Sequence, residues 1–284
     1  MKLAIPYVLA AAAVVPHGVA AWGSLGHQTT GLLAMEFLTP TTLSKVQSIL
    51  GSTFSFSLGP ASTWADTVRS QTAFKFTAPF HFIDAEDNPP SSCSVDLARD
   101  CGATGCVVSA IQNYTNRVQT QTDSTQIQQA LLFITHFVGD IGQPLHDEAV
   151  ALGGNDISAV CSGSSTNLHA AWDTGILTKN VNALYGGSAQ TWADNLATRI
   201  RSGEYASQAA GWVSNINTAA LSGTTVPLGW SQEANAFDCT VVFNFATGQD
   251  LCTGTYFTNA IPVIDLQIAK QGFRMATWLN TIFG

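Results

Sequence analysis

Histidines and nearby aspartates are the residues of this chain whose types and spacing could do chemistry. Beyond residue 21 the sequence has five histidines, and most of them lie within a few residues of an aspartate. A single histidine is more often structural than a ligand. Together, however, these nitrogen and oxygen donors suit zinc, and several ligand groups indicate more than one ion. The candidate ligands are His27, Asp66, His81, His136, Asp140, His146, His169 and Asp173.

The short motifs of several other hydrolase classes are missing from the sequence. It contains no H-E-x-x-H, the common metalloprotease motif. It also contains no G-x-S-x-G and no G-x-x-x-x-G-K-[ST], which disfavours α/β-hydrolases and P-loop enzymes.

The segment from about residue 124 to residue 142 predicts a helix that positions two of the candidate ligands. Its apolar residues spread beyond one stripe, which is typical of a central, buried helix. His136 and Asp140 are four residues apart and share one face of that helix. Because an unpaired buried carboxylate is costly, Asp140 needs a partner, and a metal ion is one such partner. His169 and Asp173 have the same spacing.

Apolar residues recur at intervals of three and four along most of the chain, which predicts an all-α protein with a single mainly helical domain. We expect Pro262 to open a long last helix. Residues 79–105, with several prolines and cysteines, predict a long ordered loop held by disulfides. Residues 239–245 resemble a strand.

Composition and charge limit the class of protein. The 284 residues are 46% hydrophobic and 11% charged, which indicates a folded chain and not a disordered one. The net charge is −8 and no basic stripe is present, which disfavours a protein that grips duplex DNA through many phosphates.

The N-terminal residues have the features of a signal peptide. Lys2 precedes an apolar run over residues 3–15, and Val19-Ala20-Ala21 is a small-residue cleavage site. We therefore expect a signal peptide over residues 1–21, a domain over residues 22–284 beginning at Trp22, and a secreted protein. No other segment is long and apolar enough to cross a membrane, so we expect no membrane partner, and we expect a monomer.

Six cysteines in a secreted chain indicate three disulfides, whose fifteen possible connectivities the sequence leaves open. Cys101 and Cys106 are close enough to close a small loop. Asn113-Tyr114-Thr115 is an acceptor sequence for N-glycosylation.

Five motifs, in this order, resemble the secreted zinc-dependent single-strand nucleases of fungi and plants. They are WGxxGH from residue 22, WAD from residue 64, HFIDAEDNPP from residue 81, HxxxDxxQPLHDE from residue 136 and NLHxxWD from residue 167. The resemblance covers residues 22 to about 283. It implies the mainly helical fold that these nucleases share with zinc phospholipase C.

The resemblance also implies three zinc ions per chain. The first would be held by Asp66, His81, His136 and Asp140. The second would be held by His146, His169 and Asp173. The third would be held by His27, by Asp140 as a bridge, and by the free amine and carbonyl of Trp22.

The activity implied by the resemblance is endonucleolytic hydrolysis of single-stranded DNA and RNA to 5′-phosphorylated products, with removal of 3′-phosphates from nucleotides. Zinc lowers the pKa of a bound water, which then attacks phosphorus. Asp66 and Asp140 would act through the metal, and Arg69 would stabilise the transition state and contact the substrate.

The same resemblance assigns the binding of the nucleobase. Phe82 would stack on the base, while Asp84 and Asn155 would hydrogen-bond its edge. Without the resemblance, the sequence would predict that Phe82 is a core residue, Asp84 a loop cap and Asn155 a turn residue. Arg69 would be a surface charge. Residues 162–166 contain no aromatic, so a second base site that some relatives build there is not expected.

The resemblance pairs Cys101 with Cys106 and Cys93 with Cys239, which leaves Cys161 for Cys252. Two other functions stay open. A bacterial-type zinc phospholipase C shares the fold, but it has more residues before its first histidine and ends its ligand set with glutamate. A secreted zinc-binding protein without catalysis is the other, although it would have no need of Arg69, Asp84 and Asn155.

Overall fold

The computed structural model describes residues 22–284, so the predicted signal peptide lies outside the described residues. Within that range the chain is mainly α-helical with one two-stranded sheet, which confirms the predicted class. The α-helices are α1 (Ser24–Met35), α2 (Pro40–Leu50), α3 (Leu58–Ala61), α4 (Trp64–Val68), α5 (Leu97–Asp100), α6 (Val107–Thr120), α7 (Ser124–Asp140), α8 (Leu168–Ala170), α9 (Leu177–Tyr185), α10 (Ala189–Arg201), α11 (Ala209–Trp212), α12 (Thr225–Phe237) and α13 (Gly254–Phe283).

The remaining elements are short. The strands are β1 (Ser158–Cys161) and β2 (Ser164–Asn167). The 3₁₀ helices span Ser52–Phe54, Lys75–His81, Pro144–Asp147 and Ala220–Ser222, and the π-helices span Ala171–Ile176 and Asp238–Val242.

Helix α7 lies at the centre of the fold, as its apolar residues predict. Every residue from Ala130 to Asp140 is buried, and the helix packs against α1, α4, α6 and α13. The Asp123 carboxylate accepts a hydrogen bond from the Gln126 amide at 2.9 Å and so caps the first turn. A helix enclosed on all sides holds its polar residues at fixed positions, which suits a site built on its last turn.

Buried tryptophans join the long helices to one another. Trp278 of α13 donates its indole N–H to the Thr115 hydroxyl of α6 at 2.8 Å. Trp192 of α10 donates to the Asp265 carboxylate of α13 at 3.0 Å. Each indole buries a large apolar area and also satisfies its one donor, so α13 is fixed to both halves of the core.

The last helix begins earlier than predicted. It starts at Gly254, and Pro262 lies inside it. Tyr256 and Ala260 are buried and extend the apolar stripe upstream of the proline. Pro262 removes the donor for the carbonyl of Thr258, and because Thr258 is exposed, water can satisfy that carbonyl.

The predicted strand over residues 239–245 was wrong, because this segment starts within the π-helix Asp238–Val242, which continues α12. The buried residues of that element are Asp238 and Val242, four apart, which is a helical and not an alternating pattern. The one sheet lies elsewhere, in the hairpin β1–β2, which the sequence analysis missed.

The turn of the β1–β2 hairpin has an unusual support. Ser162 and Gly163 both have positive φ, 51° and 79°, as the primed turns of tight hairpins require. The Asp250 carboxylate accepts hydrogen bonds from both of their amides, at 2.9 and 2.8 Å. A residue 87 positions away along the chain therefore holds the turn.

All six cysteines form disulfides, Cys93–Cys239, Cys101–Cys106 and Cys161–Cys252, as expected. The first two stabilise the predicted loop over residues 79–105, which the short helix α5 interrupts. Asn113, the glycosylation acceptor, is exposed on α6. Among residues 22–284, no helix has the length and apolar character needed to cross a membrane.

Candidate metal centre and adjoining cavity

The predicted metal ligands come from seven separate elements that meet at the C-terminal end of α7. Helix α7 carries His136 and Asp140, α1 carries His27, and α4 carries Asp66. The ends of two 3₁₀ helices carry His81 and His146, while His169 and Asp173 lie on α8 and the π-helix that follows it. The structure brings all eight side chains together in three groups.

Backbone carbonyls fix the orientation of three imidazoles. His136 donates from Nδ1 to the Ser62 carbonyl at 2.6 Å. His146 donates in the same way to the His81 carbonyl, and His169 to the Gly153 carbonyl, both at 2.7 Å. A carbonyl can only accept, so Nδ1 carries the proton and Nε2 is the free ligand atom in each ring. Metal-binding histidines are held by such outer contacts.

The first group consists of His81, His136 and Asp140, with Asp66 at its edge. Asp140 Oδ2 lies 3.1 Å from His81 Nδ1 and 3.2 Å from His136 Nε2. Asp66 Oδ1 lies 3.8 and 3.6 Å from the same two nitrogens. Two nitrogens and two carboxylates therefore converge on one small space, with a donor set that suits zinc.

The second group consists of His146, His169 and Asp173. His169 Nε2 lies 3.0 Å from Asp173 Oδ2, and His146 Nε2 lies 3.9 Å from Asp173 Oδ1. The buried Gln143 amide donates to Asp173 Oδ1 at 2.6 Å. The predicted shared face of His169 and Asp173 is present, although a π-helix begins between them.

His27 forms the third group with Asp66 and His136, and it also approaches the other oxygen of Asp140. Its Nε2 lies 3.2 Å from Asp140 Oδ1, and its ring stacks on His136 with centroids 4.0 Å apart. A Cβ at Gly139 would lie 2.8 Å from His27 Nδ1, so only glycine leaves room for the ring. The two oxygens of Asp140 therefore face different sets of histidines.

Trp22 lies beside the second group. The residue is fully buried, and the amide of the next residue, Gly23, donates to the Asp173 carbonyl at 2.7 Å. A Cβ at Gly23 would lie 2.6 Å from Thr174 Oγ1, so the chain packs closely against this element.

The residues present fit metal ions, because their buried polar atoms lack other partners. Among the described residues, seven buried atoms at these groups make no hydrogen bond, namely Nδ1 and Nε2 of His27, Nε2 of His81, His146 and His169, and Oδ1 of Asp66 and Asp140. Leaving such atoms unsatisfied costs roughly 1–3 kcal/mol each. Cations in the three groups would satisfy five of them, since the rings of His27 and His81 each face Asp140 with one nitrogen only.

The protonation of the histidines also indicates that these groups fit metal ions. Burial lowers the pKa of His146 to about 4, so that imidazole is neutral and able to bind a metal. Burial also acts to lower the pKa of His136. The nearby carboxylates of Asp140 and Asp66 outweigh that effect and raise the pKa of His136 to about 9. The carboxylates of this group thus hold a proton on the His136 imidazole when no other cation is supplied.

A cavity of about 230 Å³ opens beside the second group. Two of its walls are the ligands His146 and His169 themselves. The other lining residues are Phe82, Asp84, Leu145, Glu148, Leu152, Gly153 and Asn155. A molecule in this cavity therefore lies against the candidate metal ligands.

The loop that forms one wall of the cavity has a constrained backbone. Four consecutive residues, 151–154, have positive φ, including the non-glycine residues Ala151 and Leu152 at 51° and 56°. A Cβ at Gly153 would lie 2.5 Å from the Leu145 carbonyl oxygen. Glycine at this position allows the loop to bring the Gly153 carbonyl within hydrogen-bonding distance of His169.

The predicted substrate residues all lie at the cavity or next to it. Phe82 is partly exposed, and its carbonyl accepts from the Val107 amide at 2.9 Å. Asn155 donates to the Leu152 carbonyl at 2.7 Å, which leaves its side-chain oxygen free to accept. Partial desolvation, with Asp100 and Glu86 nearby, raises the pKa of Asp84.

Arg69 follows α4 and faces the first group. Its guanidinium lies 3.7 Å from Asp66 Oδ1, and its side chain is 19% exposed. This geometry differs from that of a free surface charge, since one face of the guanidinium is next to a candidate ligand and another is open to solvent.

Comparison with known proteins identifies the family. Residues 22–284 match the model of the S1/P1 nuclease family. The chain belongs to this family. Nuclease P1 of Penicillium citrinum is 44% identical over 268 residues, which cover 93% of this chain and 98% of that protein. Nuclease S1 of Aspergillus oryzae is 39% identical, over 92% of this chain and 91% of its own length. Endonuclease 2 of Arabidopsis thaliana is 31% identical, over 93% and 91%.

Membership of the S1/P1 nuclease family confirms the predicted resemblance and favours the nuclease interpretation over a phospholipase. The sequence analysis quoted Gln143, Asp147 and Glu148 within a motif but gave them no role in this site. Gln143 orients Asp173, and Asp147 is buried and accepts from the Ser231 hydroxyl of α12. Their signal was a short segment, residues 143–148, in which four of six residues are polar.

Proposed function

We propose that this S1/P1 nuclease family member is a zinc-dependent endonuclease for single-stranded DNA and RNA. It would yield 5′-phosphorylated products and also remove 3′-phosphates from nucleotides. One observation carries the proposal: the cavity lined by the partly exposed Phe82 shares His146 and His169 with a group of candidate metal ligands. A base bound there brings its attached phosphate next to those ligands.

We assign the ligands to three zinc ions as the resemblance implies. Asp66, His81, His136 and Asp140 would hold one ion, and His146, His169 and Asp173 another. His27, Asp140 and the amine and carbonyl of Trp22 would hold the third. Bound zinc supplies Lewis acidity and lowers the pKa of water, which makes phosphate-ester hydrolysis possible near neutral pH.

The protein's own residues orient the phosphate and stabilise its charge. Arg69 would donate from its solvent-facing side to phosphate oxygens as negative charge grows on them. Asp66, 3.7 Å from the guanidinium, limits the positions that Arg69 can take. Asp140 fixes the positions of His136 and His27 relative to each other, since its Oδ2 faces His136 and its Oδ1 faces His27.

Recognition of the base explains the expected preference for single strands. Phe82 would stack on the base, while the Asp84 carboxylate and Asn155 Oδ1 would accept hydrogen bonds from the edge of that base. A base in a duplex stays stacked and paired, so it cannot enter a cavity of about 230 Å³. Any of the bases can stack on an aromatic ring, which supports cleavage without strict sequence preference.

The setting of the enzyme is part of the proposal. We infer that residues 1–21 are a signal peptide and that the secreted, monomeric domain begins at Trp22. Three disulfides suit an oxidising compartment, and the exposed Asn113 can carry a glycan.

The proposed function predicts a clear result with three substrates. Purified protein should degrade heat-denatured DNA far faster than the same DNA as a duplex, and it should release phosphate from 3′-AMP. A chelator should abolish both activities, and added zinc should restore them. Short-chain phosphatidylcholine is the control, and its hydrolysis in place of DNA would establish the phospholipase. Bound zinc without any hydrolysis would establish a binding protein.

The stacking role of Phe82 is testable with one substitution. Phe82→Ala should weaken substrate binding, seen as a rise in KM, by roughly 1–3 kcal/mol for all four bases. Its melting temperature should fall less than that of Phe54→Ala, because Phe54 packs against the main core. Phe54→Ala should leave KM unchanged. A large fall in melting temperature with an unchanged KM for Phe82→Ala would instead make Phe82 a core residue.

A further inference from the structure

Phe76 is an exposed aromatic residue close to the candidate metal centre. Its side chain is 58% exposed, and it lies on the 3₁₀ helix Lys75–His81, whose last residue is a candidate ligand. At about 2 Å rise per residue, roughly 10 Å of helix separates Phe76 from His81. Single exposed apolar residues are common, so the surroundings of Phe76 decide whether it has a role.

A second depression, of about 180 Å³, adjoins the first cavity. It shares Phe82 and Asp84 with the first cavity, and its other walls include Pro79, Thr104 and Gly105. Phe82 and Asp84 therefore border both spaces.

Phe80 connects the depression with Phe76. A Cβ at Gly105 would lie 3.0 Å from the ring of Phe80, so this ring packs against the rim of the depression. Phe80 and Phe76 are in edge-to-face contact, with centroids 6.1 Å apart. The first cavity, the second depression and Phe76 are thus linked by shared or contacting residues, and we call this set the Phe76 track.

The charges along the Phe76 track suit a polynucleotide. Lys75, next to Phe76, is exposed and makes no ion pair or hydrogen bond within residues 22–284, whereas Arg99 pairs with Asp100. An unpaired cation one residue before an exposed ring, in an acidic protein, suits a phosphate of a strand that stacks there. Asp84 and Asp100 line the depression, so base amino groups are favoured inside it and phosphates outside it.

We propose that the Phe76 track binds the nucleotides next to the one held in the first cavity. One neighbouring base occupies the second depression, the following base stacks on Phe76, and Lys75 contacts a phosphate. The occupant is single-stranded DNA or RNA of at least three nucleotides. This inference rests on the proposed function and adds to it a reason why long strands bind more tightly than mononucleotides.

Kinetics with short and long substrates test the Phe76 track in the zinc-loaded enzyme. Phe76→Ala should raise KM for a single-stranded hexanucleotide roughly 5- to 100-fold, the effect of one lost stacked base. KM for 3′-AMP, which fills only the first cavity, should not change. Lys75→Ala should raise KM for the hexanucleotide less, and it should reduce the salt dependence of binding, since one phosphate contact is lost.

Matched variants separate stacking from general surface effects. Phe56 is 49% exposed, and Lys45 is the other lysine without an ion pair or hydrogen bond among the described residues. Phe56→Ala and Lys45→Ala should leave both KM values unchanged. Phe76→Trp should keep the KM of the unaltered enzyme for the hexanucleotide, because tryptophan also offers a stacking face.

Each possible result decides between distinct conclusions. An unchanged hexanucleotide KM for Phe76→Ala, or an equal rise for 3′-AMP, overturns the Phe76 track and leaves the proposed nuclease intact. A similar rise for Phe56→Ala also overturns it. Failure of the unaltered enzyme to cleave any oligonucleotide would instead reject the proposed function itself.

Discussion

Asp140→Asn is expected to be the most damaging substitution of a single metal ligand. The two oxygens of Asp140 lie 3.1–3.2 Å from nitrogens of three histidines, His27, His81 and His136. An amide is neutral and offers one acceptor oxygen in place of two. Loss of several kcal/mol of charge stabilisation in the transition state corresponds to a fall in kcat on the order of a thousandfold. Zinc content, by elemental analysis, should fall by at least one ion.

A buried carboxylate outside the centre provides the control for Asp140→Asn. Asp265 is buried on α13 and accepts hydrogen bonds from Arg199 and Trp192. Asp265→Asn should lower the melting temperature but leave zinc content and kcat unchanged. If Asp140→Asn keeps its zinc and near-normal kcat while it remains folded, Asp140 does not bridge two ions.

The candidate ligand groups were predictable because metal binding restricts residue type. Only a few side chains bind zinc, and every histidine beyond residue 21 belongs to one of the three groups. Helix α7 was equally predictable, since its apolar residues extend around the helix and leave His136 and Asp140 as polar exceptions. Residue types and their spacing along the sequence therefore predict the main features of the candidate site.

The atoms that orient those ligands were not predictable. His136 and His169 are held by the carbonyls of Ser62 and Gly153, and a backbone carbonyl leaves no trace in residue type. The β1–β2 turn depends on Asp250, which is distant along the chain. The second depression needs Phe82 and Gly105 to be neighbours, and that proximity follows from tertiary packing alone.

A free amine at Trp22 is expected to be essential for the third ion and for most of the activity. In a longer chain the Trp22 nitrogen is an amide, which is a poor ligand, whereas a free α-amine has a reference pKa of about 7.7–8.0 and loses its proton to zinc. Trp22 is fully buried, and Gly23 packs on Asp173 and Thr174, which places the Trp22 backbone beside the second ligand group. Removal of residues 1–21 would then complete the site.

Two forms of the protein test this requirement, one beginning at Trp22 and one with Gly-Ser ahead of it. The extended form should contain about one zinc ion fewer and should lose most of its cleavage of single-stranded DNA. Its second ligand group, His146, His169 and Asp173, is unaltered, so its fold and the ion held there should persist. Gly-Ser added after Gly284, which is exposed, is the matched control and should change neither quantity. Equal zinc content and equal activity in the two N-terminal forms would remove Trp22 from the ligand set.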